Sequence, residues 1–197
     1  MKGPILVFDT EATALEPGQI CQLAYVLEEG NGQVRACNYF FSVDDMSEGA
    51  QEVHGFSMEM LEELSGGKYF EDIAADFLPD FNGASLLVGH NVAADERYLR
   101  VEMERAGLKL RKIPTFCTMN YASGLMNLAR KVVTGRPKPP RLLELAAYYG
   151  VTEEEAAGRT RAWFQTEDLR LHDARFDTVL TYLCFKRAIE TGDLRGI

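Results

Sequence analysis

The sequence predicts an α/β domain with a mixed sheet, and three observations carry that reading. Near the N-terminus Ile5-Leu6-Val7-Phe8 is an unbroken apolar run, the pattern of a strand covered on both faces. Two further strand-like segments follow, joined by turn sequences too short for a helix. Beyond them, helical patterns alternate with short apolar runs, as crossover connections require. The chain has 197 residues, 46% apolar and 26% charged, enough for one substantial domain spanning 1–197. Met1-Lys2-Gly3-Pro4 leads directly into the first strand, leaving no room for a signal peptide, and no apolar stretch approaches the roughly 20 residues of a membrane span. Cys21, Cys37, Cys117 and Cys184 lie far apart without a CxxC pair, so they read as core thiols of a reducing compartment. A cytoplasmic protein is expected.

In chain order, the first strand ends in Asp9-Thr10-Glu11, and the loop after it closes at Pro17-Gly18. Gln19 to Leu27 reads as a second strand, Gly30-Asn31-Gly32 as a hairpin turn, and Gln33 to Ser42 as a third strand, so these three should be antiparallel. A helix starts after Ser57, whose hydroxyl suits an N-cap, and another covers Lys68 to Leu78 with Tyr69, Ile73 and Phe77 at four-residue spacing. Ser85 to Val88 is a short strand stopped by Gly89-His90-Asn91, and Val92 to Arg105 is a helix closed by Ala106-Gly107. Ile113 to Cys117 is the last strand, followed by a helix from Thr118 to about Arg130. The prolines of Thr134 to Pro140 exclude helix and leave an exposed basic loop. Leu142 to Tyr149 is a helix closed by Gly150, and Asp173 to Glu190 is a long terminal helix. Thr152 to Leu171 holds the lone tryptophan and yields no structural expectation.

Side chains alternate along a strand, so Ile5, Val7, Asp9 and Glu11 share one face. Two acids side by side in a half-buried place call for a cation, and a hard divalent metal is the natural one. The alternative is that Asp9-Thr10-Glu11 only begins a polar turn. Asp95, Leu99 and Met103 fall on one helical face, as do Asp177, Leu180, Thr181, Cys184 and Ala188. Asp95 and Asp177 each admit a simpler role, as first-turn acids favoured by the helix dipole or as partners of a nearby arginine. Four inward carboxylates together make that simpler role less attractive. Asp173 competes with Asp177, one turn earlier. His172 is five residues before Asp177, off its helical face, so it belongs to the loop or first turn, where an exposed imidazole can take a proton from water.

Net charge is −9, yet the acid-free stretch from Arg105 to Leu143 carries nine basic residues, among them Lys109, Arg111, Lys112, Arg130, Lys131, Arg136, Lys138 and Arg141. The rest of the chain is correspondingly acidic. Such asymmetry suits a phosphate-binding groove or, equally, a solvated surface.

Phe8-Asp9-Thr10-Glu11-Ala12-Thr13-Ala14-Leu15 resembles the first motif of the DEDDh (DnaQ-like) 3′→5′ exonucleases, the family of polymerase proofreading subunits. Gly89-His90-Asn91-Val92-Ala93-Ala94-Asp95 resembles the second motif and His172-Asp173-Ala174-Arg175-Phe176-Asp177-Thr178 the third, while Val53-His54-Gly55-Phe56 is similar to a lesser signature near the terminal nucleotide. The resemblance implies a ribonuclease H-like five-stranded mixed sheet flanked by helices. It implies that Asp9, Glu11, Asp95 and Asp177 hold two Mg²⁺ or Mn²⁺ ions, with Asp177 preferred over Asp173. It implies that His172 activates water and that single-stranded or frayed 3′ ends are hydrolysed to 5′ mononucleotides. The backbone at Thr10 and Thr13, with Leu15, should contact the last nucleotide, His90 and Asn91 the pocket floor, and Val53 and His54 the sugar or base. Arg136 and Lys138 are expected to contact substrate phosphates. DNA is the expected substrate class, and a polymerase or repair partner and a homodimer are further expectations the resemblance carries.

The sequence departs from the family at Ala12-Thr13-Ala14, where Thr-Thr-Gly is usual, and at Gln22, where many relatives carry an acid. Neither change removes a catalytic group, so an active enzyme is expected. The segment Thr152 to Leu171 is longer than in the shortest members and leaves substrate access open. Two other readings stand beside this one. An exoribonuclease of RNA processing would share every motif, because discrimination through the 2′-OH depends on pocket geometry. A catalytically silent nucleic-acid-binding or polymerase-docking module would need a lost ligand, and none is lost.

Overall fold

The computed structural model describes residues 3–126, 128, 138–169 and 172–194. Five strands, β1 (Ile5–Ala12), β2 (Ile20–Glu28), β3 (Val34–Phe40), β4 (Leu86–Gly89) and β5 (Thr115–Cys117), form one sheet in the order β3-β2-β1-β4-β5. The first three pair antiparallel, while β4 and β5 run parallel to β1. The apolar run of β1 therefore lies at the centre, where both faces need cover.

That cover comes in two layers. Leu6 and Phe8 point into a core shared with Phe77 and Phe81 of α3 (Phe70–Gly83) and Leu99 and Met103 of α4 (Val92–Arg105). Ile5 and Val7 point the opposite way, against Leu145 of α6 (Leu142–Tyr148) and Val179, Leu180 and Phe185 of α8 (Ala174–Glu190). Three more helices precede or bridge these: α1 (Glu48–His54), α2 (Met58–Ser65) and α5 (Thr118–Met126). The eighth, α7 (Glu153–Phe164), packs on α8 and reaches β3. Among the described residues no helix is long and apolar enough to cross a membrane.

The predicted mixed five-stranded sheet is the one observed, with local differences. Helix α1, N-capped by the Ser47 hydroxyl, stands in a stretch that gave no helical signal because only His54 of it is buried. Helix α3 begins at Phe70 and runs through Pro79 to Gly83, since Phe77 and Phe81 anchor its last turns in the core. Helix α7 occupies most of the segment left without expectation. Thr152 caps it by accepting from the Glu155 N–H, and three glutamates favour its first turn. Its only buried residues are Ala156 and Thr160, too small a stripe to show as apolar periodicity. Helix α5, expected to reach about Arg130, ends at Met126: Leu128 is not helical, and its carbonyl accepts from the Lys138 N–H at 3.0 Å, while 127 and 129–137, with the start of the proline loop, lie outside the described residues.

Phe81 is fully buried and meets Phe8 and Tyr25 edge-on, each at 5.4 Å between ring centroids. Phe81→Ala should therefore cost about 3–5 kcal/mol in urea unfolding. A loss below about 1 kcal/mol would contradict this packing.

Candidate active site

The site is built where β1 outruns its apolar half. The β1–β2 register slips between Glu11 and Ala12, a bulge of the kind that re-aims side chains at sheet ends. Asp9 and Glu11 project from the α8 face of β1, and Asp177 descends to them from the first turn of α8. Ligand oxygens of these three carboxylates lie within 4.8 Å of one another, and all three residues are half-buried. Asp95 arrives from the other face. Its Oδ1 accepts from the Thr10 backbone N–H at 3.0 Å and from the Thr10 hydroxyl at 2.7 Å, which fixes it against the strand end.

None of the four acids forms an ion pair with a lysine or arginine among the described residues. Two unit charges at this spacing repel by about 3–4 kcal/mol at an effective dielectric near 20. Three such pairs would match a whole domain's stability of about 5–15 kcal/mol, so the cluster cannot stay fully ionised without a cation. Protons take the strain instead. Burial, reinforced by Asp95, Asp177 and Glu11, raises Asp9 well above the usual carboxylate range. Burial followed by the repulsion of Asp177 and Asp95 pushes Glu11 up to about 9. Burial likewise raises Asp95 to about 6, against the Thr10 hydrogen bonds, and Asp177 to about 6, against the pull of His172. Hard oxygen donors converging without a counter-charge fit divalent metal ions.

The neighbouring Asp173 has a different task. It is fully buried, caps α8 by accepting from the Arg175 N–H, and pairs with the Arg175 guanidinium at 2.5 Å. Gln22, opposite Glu11 in the β1–β2 ladder, donates to Asp173 Oδ1 at 3.0 Å and accepts from the Ala174 N–H at 3.1 Å. Arg175 also reaches the Thr166 hydroxyl and the Asp168 carbonyl. The Gln22–Asp173–Arg175 brace thus seats the start of α8, and with it Asp177 and the exposed His172, whose φ of 54° holds a tight left-handed turn. An acid at position 22 would press against both Asp173 and Glu11.

Two apolar cavities flank the acids. The first, about 570 Å³, is lined by Thr10, Glu11, Leu15, Val53, His54 and Tyr98 among others. Leu15 is 98% exposed and Val53 54%, so both present apolar surface at its mouth. Helix α4 holds the Leu15 loop: the Tyr98 hydroxyl donates to the Ala14 and Leu15 carbonyls, and Arg105 donates to those of Pro17 and Gly18. The second cavity, about 550 Å³, is lined by His90, Pro139, Arg141, Leu143, His172 and Asp177 among others.

Several expected substrate residues sit differently from their sequence reading. Thr13 is fully buried: its N–H donates to the Gln19 carbonyl and its hydroxyl accepts from the Gln19 N–H, so it closes the loop and is absent from the cavity wall. Thr10 lines the first cavity, but its backbone N–H is spent on Asp95. His54 is only 2% exposed, and its Nδ1 accepts from the Phe56 N–H. His90 lies in the second cavity, where its Nε2 donates to the Pro140 carbonyl at 3.0 Å. Asn91 is an exposed, left-handed N-cap of α4 and lines neither cavity. The Lys138 ammonium is engaged by both oxygens of Glu144, at 2.6 and 2.8 Å, and lines neither cavity; Arg136 lies outside the described residues.

Among the described residues the acid-free stretch is not one groove. Lys109, Arg111 and Lys112 lead into the start of β5, and the parallel pairing puts that end of the sheet opposite Asp9 and Glu11. Arg141, which the sequence offered only as one cation of nine, is the one that lines a cavity beside the acids among the described residues. Tyr98 carried no sequence signal and Gln22 showed only as a departure from the family pattern, since the roles of both exist through contacts distant in the chain.

The chain matches the exonuclease family model RNase_T over residues 6–162. No curated protein matches it in sequence. Among solved structures, E. coli Exonuclease I in complex with a dT13 oligonucleotide is similar at a TM-score of 0.71 and 17% identity, covering 97% of this chain and 43% of that one. Exonuclease I from Methylocaldum szegediense gives 0.70 at 16% identity, covering 95% and 40%. Cell-death related nuclease 4 (CRN-4) gives 0.67 at 15% identity, covering 96% and 64%. The chain spans about two fifths of the length of the exonuclease I chains. At these identities the likeness establishes the fold, the ribonuclease H-like sheet of the exonucleases.

The raised carboxyl pKa values fix the sign of a pH effect. The folded protein keeps protons that the unfolded chain releases near pH 4, so metal-free stability falls as pH rises from about 4 through 6 toward 9. Ligation needs the deprotonated groups and offsets this loss. In EDTA, melting followed by circular dichroism should be lower at about pH 8 than at about pH 5.5. Mn²⁺ at about 100 times its dissociation constant should raise the midpoint at the higher pH by roughly 5–10 °C, and far less at the lower. Equal metal shifts in wild type and in an Asp9→Asn/Asp177→Asn variant would contradict the assignment.

Proposed function

The chain belongs to the RNase_T exonuclease family, in its DEDDh branch, and we propose that it is a metal-dependent 3′→5′ exonuclease releasing 5′ mononucleotides from single-stranded DNA. The observation that carries this is the convergence of Asp9, Glu11 and Asp177, with Asp95 pinned beside them and an exposed His172 next to Asp177. The dT13 oligonucleotide bound by the similar Exonuclease I supports DNA as the substrate class. Trimming of single-stranded or frayed 3′ ends in repair or proofreading is the role we infer.

Asp9, Glu11, Asp95 and Asp177 would hold two Mg²⁺ or Mn²⁺ ions. Such ions, when bound, offset the phosphate charge and stabilise the developing charge on the attacking and departing oxygens. The protein's own residues do the rest. Thr10 fixes one oxygen of Asp95 through two hydrogen bonds and so holds the fourth carboxylate at the strand end. His172, exposed beside Asp177, takes the proton of the attacking water at its ring nitrogen. Leu15 and Val53 wall the first cavity, which would take the terminal nucleoside against His54. Tyr98 holds the Leu15 loop in place for that contact.

The test is degradation of end-labelled single-stranded DNA and RNA of matched sequence with Mg²⁺, Mn²⁺ or EDTA. Stepwise, metal-dependent loss from the 3′ end, faster on DNA, is expected. His172→Ala should lower kcat by about 10²–10⁴ while leaving Mn²⁺ affinity in place. Faster loss of RNA would move the chain to the exoribonuclease reading, and no loss of either would leave a binding module. Tyr98→Phe should raise KM for oligonucleotides by about fivefold with little change in kcat, as expected for a loop held less firmly.

A further inference from the structure

A general base is ordinarily aimed by a third group that holds its ring. Among the described residues the His172 ring makes no hydrogen bond to the protein, so only its backbone can aim it. We propose that Arg175 is the positioning residue of this base: its guanidinium ties the segment leading into His172 to the helix cap that follows. This rests on the exonuclease reading and deepens it.

The backbone here is unusual. His172 has a φ of 54° and Gln165, the C-cap of α7, a φ of 52°. With Asn91 they are the non-glycine residues of positive φ among the described residues. A residue with a side chain keeps this conformation only where its surroundings over-determine it. On one flank of the histidine stands Asp173, extended and fully buried. On the other stands the turn from Thr166 to Asp168, in which the Thr166 hydroxyl donates to the Asp168 carbonyl at 3.2 Å.

Arg175 grips both flanks. After the histidine, its Nε donates to the two Asp173 oxygens at 2.9 and 3.2 Å, and Nη2 donates to Oδ2 at 2.5 Å. Before the histidine, Nη1 donates to the Thr166 hydroxyl at 3.0 Å and Nη2 to the Asp168 carbonyl at 2.9 Å. The side chain is 12% exposed, and its guanidinium lies over the Phe40 ring, 5.6 Å from the centroid. A planar fork so placed cannot swing away without orphaning the buried Asp173 carboxylate. Gln22 has a separate task. It holds Asp173 and the Ala174 N–H, and its remaining partner is Asn38 of β3, so it grips the helix and not the turn before His172. Gln22 thus serves the helix that carries Asp177, and Arg175 serves the base.

Arg175→Lys keeps a cation beside Asp173 but cannot also span to Thr166 and Asp168. On oligothymidylate with saturating Mn²⁺ its kcat should fall about 10–10²-fold, while KM and Mn²⁺ affinity stay within about twofold of wild type. In a His172→Ala background the same change should alter the residual rate by less than about twofold, because the base it aims is gone. Thr166→Val leaves the buried ion pair whole and should lower kcat about threefold, which keeps the test open if Arg175→Lys fails to fold. An unchanged kcat, a loss of Mn²⁺ affinity matching the loss of kcat, or full additivity with His172→Ala overturns the proposal. Wild type without nuclease activity sinks the exonuclease reading instead, and histidine-selective NMR then decides. The chain has 3 histidines, so His54 and His90 serve as internal controls. The His172 ring resonance should move in Arg175→Lys and in Thr166→Val while those two hold still. A His172 resonance left in place, or all of them shifted together, overturns the proposal.

Discussion

Holding like charges together at the end of β1 is the constraint on which the rest of the structure depends. Asp9 and Glu11 share a face because strand side chains alternate, and they are half-buried because β1 is the central strand. Each helix that covers β1 then brings a further acid, α8 from one face and α4 from the other. The repulsion is held by bracing placed outside the acids themselves. Thr10 binds Asp95, and Gln22 with Asp173 and Arg175 fixes the start of α8. None of these braces neutralises the four carboxylates. A cluster that is supported mechanically but not electrically is a cation site in waiting, and that distinguishes it from a buried salt-bridge network.

Much of this was legible in the sequence, for physical reasons. The unbroken run Ile5 to Phe8 identified the central strand, because only a strand covered on both faces tolerates it. Helical spacing placed Asp95 with Leu99 and Met103, and Asp177 with Leu180 and Cys184, and all four of these apolar residues are buried. Choosing Asp177 over Asp173 needed the family resemblance, and the structure gives a physical reason: Asp173 is consumed as a helix cap with its own arginine. What stayed hidden depended on partners far apart in the chain. Gln22 looked like a departure from the family pattern, yet it braces a helix about 150 residues later. Helix α7 buries only small side chains, so its periodicity was silent.

The basic stretch shows the same limit in another form. Charge counted along the sequence gave one segment, whereas among the described residues the fold sets Lys109, Arg111 and Lys112 apart from Arg141. Lys138 takes the close contacts of Glu144, the first acid after the stretch, and Arg141 approaches the same carboxylate only at 3.6 Å. An acidic protein can thus present a cation beside its acids. Two apolar cavities on either side of the carboxylates, one walled by the clamped Leu15 loop and one by the segment tied through His90, give the site direction as well as charge.

The central claim is that these carboxylates await a divalent cation and are partly protonated until it comes. Calorimetric titration of the EDTA-treated protein with Mn²⁺ at about pH 7, repeated in buffers of different ionisation enthalpy, tests it most directly. With Glu11 raised to about 9 and Asp9 well above the usual carboxylate range, binding should be accompanied by proton release, and Asp9→Asn should abolish both the binding and the release. Binding without proton release, or no binding at all, would contradict the account.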